Sequence, residues 1–227
     1  MENIFKPMDD KTSLHILVYN QLKELIISGK LKPGERLMEY EIAKSLNISK
    51  TPIREAIREL SKEGLIVHES RRKLTVVDFT EKDIREILTL RAELESIAIT
   101  IAIPRFTDKD YLELEKRIEE LHQREDQKDF FDVRRIDIER IHSFMVEMSG
   151  NTRLIQMWKV LASQMMVLFQ AVELKTKNHG YSTKNHRMLT EMMKAGDVKQ
   201  AGEFLKNHIL RNLESIIQEF SYNRDIV

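Results

Sequence analysis

Lys50, Arg54 and Arg58 recur every four residues, and the apolar residues between and after them are Ile53, Ile57 and Leu60. On a helix this spacing makes one basic stripe opposite one apolar stripe, so one face packs while the other is free to meet an anion. Nucleic acid suits such a stripe, because a guanidinium fork matches the major-groove edge of guanine and ammonium groups match phosphate. Arg54, near the helix start, is the candidate for a base contact, and Lys50, Thr51 and Arg58 are candidates for phosphate or base edges. The alternative is a solvated face, since Glu55, Glu59 and Glu63 are interleaved.

A second set of residues carries different chemistry. His142 shares an apolar helical face with Ile138 and Met145, His186 with Leu189 and Met193, and His208 with Phe204 and Leu205. Three imidazoles on separate helices of one bundle could close around a divalent ion, or each could be a hydrogen-bonded core residue. The absence of cysteine excludes thiolate metal sites, disulfides and cysteine nucleophiles. Met157, Met165, Met166, Met188, Met192 and Met193 read as adaptable core, as does Trp158.

The basic stripe needs a scaffold, and the first third of the chain supplies one. Leu14, Val18, Leu22, Leu25 and Ile26 mark a helix that stops at Ser28-Gly29; Ile42, Ala43 and Leu46 suit a short second helix, and Asn47-Ile48-Ser49 a tight turn into the third. Gly64 ends the third helix, and Leu65–Val67 and Leu74–Val77 read as two strands around the basic tip Arg71-Arg72-Lys73. That order predicts a winged helix-turn-helix, with Arg71, Arg72 and Lys73 as further DNA contacts. Charge agrees: the formal net charge is zero, yet residues 11–78 hold 13 Lys and Arg against 9 Asp and Glu, and residues 79–227 hold 23 against 25.

After Asp78 the pattern is helical throughout. Thr80-x-x-Asp83 and Thr107-x-x-Asp110 have the form of capping boxes, and amphipathic segments near 80–103, 108–126, 129–149, 152–176, 182–195 and 197–221 predict an antiparallel bundle. The fold class is therefore mainly α, with a winged helix-turn-helix in residues 1–78 and an all-helical bundle in residues 79–227. No apolar run approaches the roughly 20 residues a bilayer requires, and the N-terminus lacks the order of a signal peptide, so a cytoplasmic location without membrane contact is expected.

The segments Ile27-Ser-Gly-Lys-Leu-Lys-Pro-Gly34, Leu37-Met-Glu39, Ile42-Ala43, Ile48-Ser-Lys-Thr-Pro-Ile-Arg-Glu-Ala-Ile57 and Glu63-Gly64-Leu65 resemble the GntR family of regulators. Lys73 stands where the wing of that family usually has glycine, and Tyr40 where some members carry a DNA-contacting arginine. The helical remainder is similar to the FCD effector domain of the FadR-like branch. The shared residues are Leu90-Arg91-x-x-Leu94-Glu95, His142 with Gly150-Asn151, Asn185-His186, Gly196-Asp197, Ala201 and His208. The resemblance implies a homodimer that reads a double-stranded DNA operator and binds a small organic acid. In many members a divalent metal (Zn, Ni or Mn) is held by three His and one Asp.

That Asp would lie four residues before His142, where this chain has Ile138. Glu139, three residues before His142, shares its helical face and is the expected substitute; Asp137, five residues before, points about 140° away on an α-helix. Arg91 occupies the place of a family arginine facing the ligand cavity, where its fork suits an effector carboxylate; its alternative is an ion pair with Glu95. The leading expectation is a ligand-responsive regulator, a repressor, and not an enzyme. The alternatives are a three-histidine hydrolytic metalloenzyme, for which no general base stands beside the site, and a DNA-binding regulator whose effector site has decayed at Ile138.

Overall fold

Helix α1 (Leu14–Ile27) turns Val18, Leu22, Leu25 and Ile26 inward. Gly29, with φ 71°, then takes the left-handed conformation that ends helices, at little steric cost without a Cβ. The computed structural model describes residues 14–70, 73–125, 130–172, 183–211 and 213–224. Helix α2 (Glu39–Leu46) buries Ile42, Ala43 and Leu46, and ends at Asn47, a left-handed residue (φ 52°) whose N–H bonds to the carbonyls of Ala43 and Lys44. The chain re-enters helix after Ser49, and α3 (Lys50–Lys62) buries Ile53, Ala56, Ile57 and Leu60. Pro52 falls in its first turn, where a missing N–H costs nothing. Tyr19 of α1 donates to Glu63, just past α3, and Lys23 Nζ reaches the same carboxylate at 2.7 Å, tying α1 to the end of α3.

Strands β2 (Ile66–Ser70) and β3 (Lys73–Val76) form the antiparallel wing read from the sequence. A further strand, β1 (Arg36–Leu37), pairs with β3 to give the order β1-β3-β2. At two residues it is too short to show the period-2 alternation by which strands are recognised. Arg71 and Arg72, expected at the wing tip, lie outside the described residues.

The remaining elements are helical. Helix α4 (Glu81–Ala102) starts with a complete capping box: Asp83 N–H donates to Thr80 Oγ1 at 3.2 Å, and Thr80 N–H to Asp83 Oδ2 at 2.7 Å. A short 3₁₀ turn through Pro104 leads to α5 (Asp108–Glu125). The segment expected as one helix near 129–149 comprises α6 (Phe130–Ile136), a π-helical turn (Asp137–His142) and α7 (Ser143–Met148). Helices α8 (Thr152–Val172), α9 (Thr183–Lys194), α10 (Val198–Leu210) and α11 (Leu213–Arg224) complete the chain. The last two were expected as one; no Gly or Pro lies between them, and the apolar pattern runs on through Ile209, Leu213, Ile216 and Ile217, so periodicity carries no sign of the break.

The described chain divides into two compact units, one running to Phe79 and taking in residues 166–171, the other comprising Thr80–Met165 and the residues from Val172 on. In the second, α10 lies close against α4 at Gly202: a Cβ there would stand 3.0 Å from Ser96 Oγ and 3.1 Å from Thr100 Cγ2. Glycine thus permits the approach that carries His208 towards α4. Asp197 caps α10 by accepting from the Gln200 N–H at 3.2 Å. Among the described residues, no helix is long and apolar enough to cross a membrane.

Candidate metal centre and nucleic-acid interface

The three histidines converge. One ligand nitrogen from each of His142, His186 and His208 lies within 4.8 Å of the others, and all three residues are buried. Each comes from a different element: His142 closes the π turn, His186 lies on the inner face of α9, and His208 on that of α10. Nε2 of His142 and Nε2 of His186 are 3.4 Å apart.

The carboxylate that faces Nε2 of both His142 and His186 is that of Asp137, not Glu139. Asp137 is fully buried, with Oδ1 3.1 Å from His186 Nε2 and Oδ2 3.4 Å from His142 Nε2. Glu139 points outward, 46% exposed, and pairs with Arg135 at 3.2 Å. The expectation of Glu139 assumed an α-helix, in which Asp137 lies on another face. The helix instead widens: the Ser143 N–H bonds to the carbonyl of Ile138, five residues back. A turn closed at i+5 brings residues five apart onto one face, which carries Asp137 to His142 and turns Glu139 away. Arg117 of α5 steadies the turn by donating Nη1–H to the carbonyl of Arg140 at 2.9 Å, with its guanidinium 4.5 Å from the Phe144 ring centroid. Ile138, which stands where the resemblance called for Asp, is buried.

Behind His142 lies a buried polar network. Oε2 of Glu95 is 2.5 Å from His142 Nδ1, and Oε1 accepts from Arg91 Nε at 2.6 Å and from Trp158 Nε1 at 2.7 Å. Of the two readings of Arg91, the ion pair with Glu95 is formed, and both side chains are almost wholly buried. Asn185, beside His186 on α9, brings its amide within 3.4 Å of His208 Nδ1.

The electrostatics follow from this packing. Burial alone would push the Glu95 carboxyl up, but the charges of Arg91 and His142 and the hydrogen bonds from His142 and Trp158 hold it at about 2. Burial would likewise raise Asp137, yet His142 and His186 keep it well below the usual carboxylate range. For His142, the desolvation that disfavours its cation is outweighed by Glu95 and Asp137, and it rises to about 9. His208 is pushed down to about 3 by burial, then by His186 and His142.

These residues fit a divalent ion. A metal with ligand distances of about 2.0–2.2 Å separates adjacent donor atoms by about 2.8–3.6 Å, from octahedral to tetrahedral geometry, and the contacts among Asp137, His142 and His186 measure 3.1, 3.4 and 3.4 Å. Neither oxygen of Asp137 receives a hydrogen bond of acceptable direction among the described residues, although both are buried. Buried carboxylate oxygens without donors are what a cation would satisfy. Three imidazoles and one carboxylate, with no thiolate, suit Zn, Ni or Mn.

The other candidate residues gather in the first unit. Lys50, Thr51, Arg54 and Arg58 on α3, and Lys73 on β3, are exposed. Arg54 Nε is held by Glu39 at the start of α2 at 2.8 Å. Lys50 Nζ lies 5.5 Å from the ring centroid of Tyr40, itself exposed. The carboxylate behind Arg54 went unrecognised in the sequence, where Glu39 is one acid among many. At the histidine centre, α-helical spacing turns Asp137 away in favour of Glu139 and offers Glu95 only as a partner of Arg91.

Comparison with known proteins agrees with this division of chemistry. The family described as bacterial regulatory proteins, gntR family, matches residues 17–76, and the FCD domain family matches residues 86–211. The chain is 29% identical over 222 residues to the HTH-type transcriptional regulator YdhC of Bacillus subtilis (strain 168), covering 95% of this chain and 98% of that one. It is 27% identical to the HTH-type transcriptional regulator McbR of Escherichia coli (strain K12), covering 93% of this chain and 96% of that one. The solved structure of E. coli McbR/YncC superposes with a TM-score of 0.76 at 26% identity, covering 92% of this chain and all of that one. The gluconate operon transcriptional repressor of Bacillus subtilis (strain 168) is 26% identical, with 82% of this chain and 78% of that one covered.

Proposed function

Because the chain belongs to the GntR family of bacterial regulatory proteins and carries an FCD domain, we propose that it is a cytoplasmic, ligand-responsive repressor that reads a short palindromic operator as a homodimer. That it is a DNA-binding transcriptional regulator follows from the family. The finer reading rests on one observation: α3 buries Ile53, Ala56, Ile57 and Leu60 while Lys50, Thr51, Arg54 and Arg58 stand exposed on the opposite side. A helix held so firmly by one face presents the other to the major groove without rearrangement. In this reading residues 1–78 bind DNA and residues 79–227 bind the effector and form the dimer. Glu39 holds Arg54 by Nε, and in this reading the terminal nitrogens serve guanine. Lys73 meets phosphate beside the groove.

The FCD part holds a divalent metal through Asp137, His142, His186 and His208. A bound ion supplies a Lewis-acidic anchor for the carboxylate of a small organic acid. Beside it, the buried Arg91, ion-paired with Glu95, is the residue of this reading that favours an anionic effector. The relatives are transcriptional regulators rather than enzymes, so the hydrolytic reading is set aside. The suggestion of a decayed site rests on Ile138; in this reading Asp137, turned inward, supplies the carboxylate instead.

The test is selection from random-sequence duplex DNA by the purified protein, with and without Zn²⁺. A palindromic consensus is expected. Arg54→Ala should lower affinity for it by about 1–3 kcal/mol and relax one position in each half-site, whereas Lys73→Ala should weaken all sequences alike and reduce the salt slope by about one. Enrichment of no sequence would overturn the reading.

A further inference from the structure

The centre described above has an inner set of ligand atoms and, behind His142, the carboxylate of Glu95. The sequence offered Glu95 only as an intrahelical partner of Arg91. In the fold it meets three donors from three elements: Arg91 Nε from α4 itself, Trp158 Nε1 from α8 and His142 Nδ1 from the π turn, at 2.6, 2.7 and 2.5 Å. It is buried, and its two oxygens divide the work, Oε1 taking Arg91 and Trp158 and Oε2 taking His142. The other nitrogen of that ring, Nε2, faces Asp137 and His186 at 3.4 Å each.

An imidazole bound to a metal must present a lone pair from one nitrogen, and the hydrogen bond made by the other decides which one. We propose that Glu95 is the positioning residue of this centre: by accepting the Nδ1–H of His142 it turns the Nε2 lone pair towards His186, His208 and Asp137, and through Oε1 it joins the centre to Trp158. The inference rests on the metal reading given above and goes beyond it, because it assigns a role to a residue that is not itself a ligand. Trp158 is the sole tryptophan of the chain, so its emission follows the surroundings of its bond to Glu95 without overlap from another indole.

The geometry makes the isosteric change Glu95→Gln informative. Arg91 and Trp158 both donate to Oε1, so the amide oxygen of Gln must take that place. The amide NH₂ then faces His142 Nδ1, which becomes an acceptor, and the proton moves to Nε2, where it blocks the lone pair. Titration of metal-stripped protein with Zn²⁺ against a chromophoric chelator should show a 10- to 100-fold weaker affinity for Glu95→Gln. Long-range ¹H–¹⁵N spectra should show the His142 proton on Nδ1 in the Zn²⁺-loaded parent and on Nε2 in the variant. Trp158→Phe, which keeps the bond between Glu95 and His142, should bind Zn²⁺ within about threefold of the parent, and Zn²⁺ should change Trp158 emission in the parent but far less in Glu95→Gln. Unchanged affinity and tautomer in Glu95→Gln would overturn the proposal while leaving the metal reading intact. A parent that takes up no Zn²⁺, Ni²⁺ or Mn²⁺ would overturn both. Should Glu95→Gln fail to fold, the parent spectrum decides: an Nδ1 proton on His142 in the loaded protein supports the assignment, and metal bound through Nδ1 refutes it.

Discussion

Replacing Asp137 by Asn should abolish tight metal binding, and replacing Glu139 by Gln should leave it almost untouched, although a straight α-helix predicts the reverse. Asp137 places its two oxygens 3.1 and 3.4 Å from ligand nitrogens of His186 and His142 in a fully buried position. Outer partners of metal ligands are already worth 10- to 100-fold in affinity, and removing an anionic inner donor should exceed that, so a loss of at least about 100-fold, or about 2.7 kcal/mol, is expected. Glu139 is half exposed and, among the described residues, pairs across one helical turn with Arg135. Such a pair contributes about 0.3–0.5 kcal/mol, which is at most about a factor of two in any coupled equilibrium. The two variants should therefore differ in Zn²⁺ affinity by at least about 50-fold. Competition against a chromophoric chelator measures this, with circular dichroism melts of both variants confirming that each is folded. Metal binding that survives Asp137→Asn and fails in Glu139→Gln would refute the π turn as the device that chooses between them.

Two further outcomes follow from packing and charge. In the metal-free protein, His142 is raised to about 9 and so stabilises the fold below its unfolded value near 6.5, a contribution lost as pH rises towards 9; His208, lowered to about 3, and Glu95, held at about 2, cost stability as pH falls below about 6.5 and 4.5 respectively. Melting temperature should peak near pH 6.5 without metal and decline towards pH 9, while the stabilisation added by excess Zn²⁺ should grow over that interval because a proton no longer competes for His142; a metal-free melting temperature that rises from pH 6.5 to 9 would contradict this. Gly202→Val would force a Cβ to 3.0 Å from Ser96 Oγ and 3.1 Å from Thr100 Cγ2, and should destabilise by about 1–3 kcal/mol and lower the melting temperature by several degrees, with weaker Zn²⁺ binding because α10 also carries His208; calorimetry showing no shift would refute the close approach.

Much of this protein is local in origin and was therefore legible in the chain. The basic and apolar stripes of α3 follow from residue spacing alone. The turn at Asn47, the stop at Gly64 and the capping box of Thr80 and Asp83 are set by side chains a few positions apart. Each histidine announced itself by lying on an apolar face, because a polar ring among buried neighbours must find a partner. Nothing local, however, reveals which partner it finds.

That choice was made by tertiary structure. Asp137 and Glu139 are both acids close to His142, and only the extra residue absorbed in the π turn decides that the first faces inward. Glu95 and Arg91 formed the ion pair that their spacing allowed, but the approach of α8 and the π turn made Glu95 an acceptor for Trp158 and His142 as well. β1 exists only because β3 offers it a ladder. Sequence by itself determined the elements, their buried faces and the family to which they belong, since these depend on short-range periodicity and on residues that act within one turn. The composition of the histidine centre depended on distances between helices far apart in the chain and on a single change of helical pitch, and those are properties of packing.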